Sequence, residues 1–137
     1  MLQTLSLLIL LKVRLLMTNH GFGLLYEMGC GKTLTAIAIT GAAFLKGKVK
    51  KLLVVAPASV VPVWSKEFDN FADFPYMVGT MQGTANKKIE ILKRLQLSEQ
   101  HMSKPMLYVA VINYESVWRE QIFDTIKKWN PDMIICD

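Results

Sequence analysis

Cysteine and histidine are scarce in this chain. Cys30 and Cys136 are its only thiols, and His20 and His101 its only imidazoles, in 137 residues. Two thiols make no disulfide framework, so a reducing, cytoplasmic setting is the expectation. Neither cysteine stands in a C-x-x-C pair and neither histidine in an H-x-x-x-H pair, which argues against a zinc site. Internal repeats, low-complexity tracts and Pro/Gly/Ser linkers are also missing, so a single domain is expected at this length. Membrane-length hydrophobic runs are absent from the apolar opening, MLQTLSLLILLKVRLLM. Its uninterrupted core, Leu7–Leu11, ends at Lys12 and Arg14, far short of the roughly 20 residues that cross a bilayer. The positive charges follow the run, whereas a signal peptide has them before it and a small-residue cleavage site after it. Residues 1–19 are therefore expected to form an atypical apolar helix docked on the protein, with no membrane as partner.

What is present is ordinary for a folded domain. Hydrophobic residues make up 52% and charged residues 20%, with a formal net charge of +5. That composition argues against disorder. It permits contact with nucleic acid or another anionic surface without demanding it.

Apolar runs alternate with helical periodicities. Phe22–Tyr26, Lys51–Ala56, Met106–Ile112 and Met133–Cys136 read as buried strands, with a weaker one at Pro75–Thr80. Thr33–Leu45 reads as a helix ending near Gly47. Val61, Trp64, Phe68 and Phe71 form one stripe, with Ser59 as its expected N-cap and Pro62 in the first turn. Ala85, Ile89 and Leu92 mark a second helix, with Lys87, Lys88, Glu90, Lys93 and Arg94 mostly on the opposite face. Trp118, Ile122, Ile126 and Trp129 mark a third. Lys46, Lys48, Lys50 and Lys51 bracket a loop expected to be solvated. Strands apolar at nearly every position, interleaved with helices, imply an α/β fold whose mainly parallel sheet is covered on both faces. Such sheets bind ligands at the carboxyl ends of their strands.

One such end carries Gly29-Cys30-Gly31-Lys32-Thr33, between an apolar strand and a helix. Glycines let backbone N–H groups face a phosphate, and the helix N-terminus adds partial positive charge. Lys32 suits the β- and γ-phosphates, and the Thr33 hydroxyl suits Mg²⁺. Position 26, glycine in the strict P-loop pattern, is tyrosine here. Cys30 reads as a small loop residue, since no base accompanies it.

Four stretches together resemble the Swi/Snf-type DNA translocases of helicase superfamily two. YEMGCGKTLTAIAI resembles motif I, D-E-M-G-x-G-K-T, which also lacks the first P-loop glycine. LLVVAPASVVPVWSKEF resembles motif Ia, VINYESV the T-x-Y-E segment, and MIICD the strand entering the D-E-x-H box. The resemblance covers residues 20–137 and implies a partial first RecA-like lobe, a three-layer P-loop domain. It does not extend over residues 1–16, where the family has an adenine-reading aromatic and glutamine. It implies ATP and Mg²⁺ as ligands and double-stranded DNA as partner. By the same resemblance, Glu27, Met28, Gly29, Cys30, Gly31, Lys32, Thr33 and Leu34 hold the nucleotide, and Thr33 and Asp137 hold Mg²⁺. Lys32 and Asp137 serve catalysis, and Ala56, Pro57, Ala58, Ser59, Asn113 and Tyr114 lie near the DNA backbone.

In the family a water-polarising glutamate follows Asp137, and a second lobe brings an arginine finger worth about 10³–10⁵ in rate. These 137 residues are therefore expected to bind ATP without efficient turnover. Two other classes stay open. A small-molecule P-loop kinase accounts for Gly29–Thr33 but leaves A-P-x-S and N-Y-E without a role. A non-catalytic interaction module would bind no nucleotide.

Overall fold

The computed structural model describes residues 32–137. The strand expected at Phe22–Tyr26, the glycines of the phosphate loop and the apolar segment 1–19 lie outside the described residues.

Helix α1, Lys32–Leu45, opens the described chain. It ends as sequence predicts, because Gly47 takes the left-handed conformation at φ +73°. There its N–H meets the Phe44 carbonyl at 2.9 Å, and the Lys48 N–H meets Ala43 at 2.9 Å, which satisfies two carbonyls of the last turn. Strand β1, Lys51–Ala56, follows and is buried from Leu52 onward. Helix α2, Val61–Phe71, carries Pro62 in its first turn, where the missing N–H has no cost.

The expected cap at Ser59 is not formed: Val60 is the N-cap residue and makes no side-chain cap bond. The reason is local. The Pro57 carbonyl already accepts from the N–H of Val60 at 2.8 Å and of Val61 at 3.2 Å. Ser59 is left exposed in the turn. Phe71, expected on the buried stripe, is 44% exposed at the helix end.

Strand β2, Tyr76–Thr80, leads to helix α3, Ala85–His101, where Thr84 caps by accepting from the Lys87 N–H. Strand β3, Leu107–Asn113, runs one residue further than the apolar run suggested. A short helix α4, Tyr114–Val117, is followed by helix α5, Glu120–Trp129, which stops at left-handed Asn130. Strand β4, Met133–Cys136, is last.

The four strands form one sheet in the order β2-β3-β1-β4, and every pair is parallel. One face, carrying Leu52, Val54, Leu107, Val109 and Val111, packs on α1 and α2 through Ile37, Phe44, Trp64 and Phe68. The other, carrying Leu53, Val55, Tyr108, Ala110 and Ile112, packs on α3 and α5 through Leu92, Leu95, Ile122, Ile126 and Trp129. This is the three-layer α/β architecture expected from sequence. Strand β4 is the exception to two-sided cover: Met133 and Ile135 join the α1–α2 core, while Ile134 is 58% exposed.

Two helix-face expectations are corrected. Lys88 is only 9% exposed. It lies one turn from Leu92 and two from Leu95, on the inward side of α3. Trp118 is 77% exposed. It falls in the link before α5, so helical spacing does not carry it inward, and it stacks on Phe123 with ring centroids 6.4 Å apart. Lys46, Lys48 and Lys50 are exposed as expected, whereas Lys51 turns in to donate to the Trp129 carbonyl at 2.8 Å. Among the described residues no helix is long and apolar enough to cross a membrane.

Candidate nucleotide and nucleic-acid site

A parallel sheet places all its carboxyl ends on one edge, and here register brings the predicted residues together. Ala56 at the end of β1 pairs with Asn113 at the end of β3. On the other side of β1, Val55 pairs with Cys136, and the Asp137 N–H continues the ladder to the Val55 carbonyl at 2.8 Å. The β1–α2 turn, the β3–α4 turn and Asp137 therefore share one edge.

Within the first turn, Ala56 is completely buried, so its side chain packs in the sheet. Pro57, Ala58 and Ser59 are exposed and present the turn to solvent. Ser59 has no capping role to fulfil, which leaves its hydroxyl available to a ligand oxygen.

The second turn is held by a polar network. Lys88 Nζ donates to Asn113 Oδ1 at 3.0 Å and to Ser116 Oγ at 2.5 Å. Asn113 Nδ2 donates to Glu115 Oε2 at 2.8 Å. That bond, above all, holds the Glu115 carboxyl below the usual carboxylate range, with the residue's own backbone N–H and the Lys88 charge adding to it. Asn113 is the N-cap residue of α4, yet its side chain makes no cap bond; its amide is spent on Lys88 and Glu115. Sequence reasoning did not find Lys88 or Ser116. Its signal was present, because Lys88 shares a helical face with Leu92 and Leu95.

Asp137 is joined to α2 and to the start of α4. Trp64, 2% exposed, donates its indole N–H to Asp137 Oδ2 at 3.1 Å. The Tyr114 hydroxyl donates to the Asp137 main-chain oxygen at 2.5 Å. Burial raises the Tyr114 phenol above its ordinary value, and the nearby Cys136 and Asp137 charges push the same way. Trp64 read from sequence as a core residue; a buried indole N–H needs a partner, and that requirement was the legible hint.

Lys32 and Thr33 occupy the first two positions of α1, and Thr33 and Leu34 are half-buried. Glu27, Met28, Gly29, Cys30 and Gly31 lie outside the described residues. The oxygen donors, the Thr33 hydroxyl and the Asp137 carboxylate, are hard ligands of the kind Mg²⁺ takes in small number. Among the described residues there is no cluster of three or more His, Cys, Asp or Glu side chains that could hold a metal ion.

Comparison with known proteins identifies the family. The SNF2-related domain matches residues 7–137. A DNA repair and recombination protein RAD54-like from Drosophila ananassae is 29% identical over 118 residues, spanning 81% of this chain and 14% of its own length. Human DNA repair and recombination protein RAD54B is 31% identical over 117 residues, with 81% and 12% covered. Chromatin remodeling factor mit1 from Schizosaccharomyces pombe is 25% identical over 120 residues, with 88% and 8% covered. The chain thus spans a small part of each relative's length. Among solved structures, the Sulfolobus solfataricus SWI2/SNF2 ATPase core in complex with dsDNA superposes with a TM-score of 0.56 at 19% identity, covering 98% of this chain and 30% of that one. The three-layer parallel sheet is the RecA-like fold of that ATPase core. The chain belongs to the SNF2-related domain family.

Proposed function

We propose that this chain is the ATP-binding lobe of a DNA-dependent ATPase of the translocase type. The observation that carries it is the single sheet edge on which the Pro57–Ser59 turn, the Asn113–Tyr114 turn and Asp137 meet, with Asp137 hydrogen-bonded to Trp64 and Tyr114. The SWI2/SNF2 core of similar fold was solved with duplex DNA, which supports a duplex as the ligand of those two turns.

Each residue then has a task. Lys32 neutralises the β- and γ-phosphates, and the α1 N-terminus adds its partial positive charge. Glu27, Met28, Gly29, Cys30, Gly31 and Leu34 complete the set proposed to bind the nucleotide. Thr33 and Asp137 hold Mg²⁺, which supplies charge neutralisation at the phosphates when bound. Pro57, Ala58 and Ser59, with Asn113 and Tyr114, track the DNA backbone through turn N–H groups and hydroxyls, contacts that position a duplex without reading its sequence. Ala56 backs that turn from inside the sheet.

Binding measurements on the 137-residue chain test this. A fluorescent ATP analogue with Mg²⁺ is expected to bind saturably, and Lys32→Ala to lose about tenfold to hundredfold, the worth of a charge-assisted contact. Duplex DNA is expected to bind with an affinity that falls linearly in log–log form as salt rises. Ser59→Asp should weaken DNA binding while leaving the thermal midpoint in place, because Ser59 is exposed and caps nothing. Nucleotide binding indifferent to Lys32→Ala, or DNA binding indifferent to salt and to Ser59→Asp, would overturn the proposal.

A further inference from the structure

Asp137 is held by two side chains, each on a helix that follows one of the two turns proposed to meet DNA. Trp64 stands in α2, which the Pro57–Ser59 turn leads into, and its Nε1 lies 3.1 Å from Asp137 Oδ2. Tyr114 opens α4 directly after Asn113, and its hydroxyl lies 2.5 Å from the Asp137 main-chain oxygen. The Trp64 contact is not a generic habit of the indoles here. Trp129 is as deeply buried, and its N–H has no hydrogen-bond partner among the described residues. An indole N–H aimed at a carboxylate is directional and charge-assisted. It restrains the rotation of the carboxyl group about its own axis. The Tyr114 bond fixes the main chain that carries that group.

We infer that Trp64 and Tyr114 are positioning residues that set the Asp137 carboxylate for the Mg²⁺–nucleotide and link its affinity to duplex DNA. The inference rests on the reading of Asp137 as the metal-holding carboxylate. The physical route is short. A duplex pressing on the Asn113–Tyr114 turn acts on a residue whose hydroxyl is bonded to the main chain of Asp137. A duplex pressing on the Pro57–Ser59 turn acts on the helix that holds Trp64. Coupling of this kind is reciprocal, so a bound Mg²⁺–nucleotide must change DNA affinity by the same factor.

The test is the ratio of nucleotide affinity in Mg²⁺ to that in EDTA, measured on the 137-residue chain with and without a short duplex. Partners that orient a metal ligand typically contribute about 10- to 100-fold in metal affinity. Trp64→Phe, which removes the donor and keeps an aromatic ring, is expected to lower the Mg²⁺/EDTA ratio by about tenfold. Tyr114→Phe removes one hydroxyl from a half-buried ring, so it remains informative if the Trp64 variant folds poorly. It is expected to lower the same ratio and to bring the effect of duplex on that ratio towards unity. A purely structural role would lower both affinities together and leave the ratio in place, which overturns the inference. Asp137→Asn separates the two levels. If it abolishes the metal increment while Trp64→Phe and Tyr114→Phe preserve it, the positioning role fails and the metal reading stands. If Asp137→Asn preserves the increment, both fail.

Discussion

The Lys88 ammonium lies 3.0 Å from Asn113 Oδ1, beneath the turn that ends β3, on a side chain that is only 9% exposed. A buried cation is retained only where hydrogen bonds replace its water. Asn113 and Ser116 supply them here, and the cation in turn locks the β3–α4 turn.

Replacing Lys88 with Met keeps the stem and removes the donors. It leaves Asn113 Oδ1 and the buried Ser116 hydroxyl short of a donor, at a cost of about 1–3 kcal/mol. Urea unfolding of Lys88→Met, Ser116→Ala and the double variant checks this. The two changes are expected to be non-additive by at least about 0.5 kcal/mol, since they share one bond. Additive losses would mean that the network does not act as a unit.

The sheet was the most legible part of the molecule. β1 and β4 have the bounds their apolar runs suggested; β1 does so because a strand buried on both faces leaves an uninterrupted apolar signature, whereas β4 keeps its apolar run with Ile134 58% exposed. Side-chain roles that depend on the backbone nearby were harder to read. Ser59 has the right residue type for a cap, but a Pro57 carbonyl had already taken the N–H groups it would serve. Lys88 was assigned to the polar face by its charge, although its spacing from Leu92 and Leu95 pointed inward. Trp118 fitted a stripe only if α5 began earlier than Glu120. At the candidate site, sequence named Tyr114 and Asp137, but nothing in their spacing along the chain shows that they touch. That contact follows from strand order, with β1 between β3 and β4.

Two glycines should respond to Ala for different reasons. At Gly41, inside α1, a Cβ would stand 2.4 Å from Phe74 Cε1 and 2.8 Å from Cδ1. The Phe74 ring is held by Phe44 at 5.9 Å and Tyr76 at 6.4 Å between centroids. Helix propensity alone would favour Ala by about 1 kcal/mol, but overpacking of this kind costs about 1–3 kcal/mol, so Gly41→Ala should destabilise. Gly47→Ala meets no atom within 4 Å, yet its φ of +73° imposes about 1–2 kcal/mol. Thermal unfolding of both variants checks the pair; a stabilised Gly41→Ala would mean that α1 and Phe74 are not packed as described.

Alkali should unfold the protein through its phenols. Tyr76 is raised above the ordinary phenol pKa of 10.0, first by its hydrogen bond to Asp69. Tyr108 is raised by burial and Glu99, and Tyr114 by burial and the charges beside it. A phenol raised in the folded state favours folding fully while the pH is below its unfolded value. That contribution is lost as the pH climbs through the raised folded value. Stability is therefore expected to be flat with respect to these groups up to about pH 9 and to fall above about pH 10. Unfolding midpoints against pH, alongside phenolate absorbance, check this. Tyr76→Phe and Tyr114→Phe should each flatten the decline.

The two tryptophans that flank α5 should separate cleanly. Trp118, at 77% exposure, stacks on Phe123 at the surface, so Trp118→Ala should change stability by no more than about 0.5 kcal/mol. Trp129, at 2% exposure, fills the core between α5 and the sheet, and Trp129→Ala should cost about 3–5 kcal/mol. Trp129→Phe is the informative case. It loses part of that volume, which destabilises, but it also removes a buried N–H that has no partner among the described residues. Burying such a group unbonded costs about 1–3 kcal/mol, so the two effects oppose. The net change is expected to be less than about 1.5 kcal/mol, well short of the alanine variant. Denaturant titration measures all three, and a Trp129→Phe loss as large as that of Trp129→Ala would show that the indole N–H is satisfied in solution.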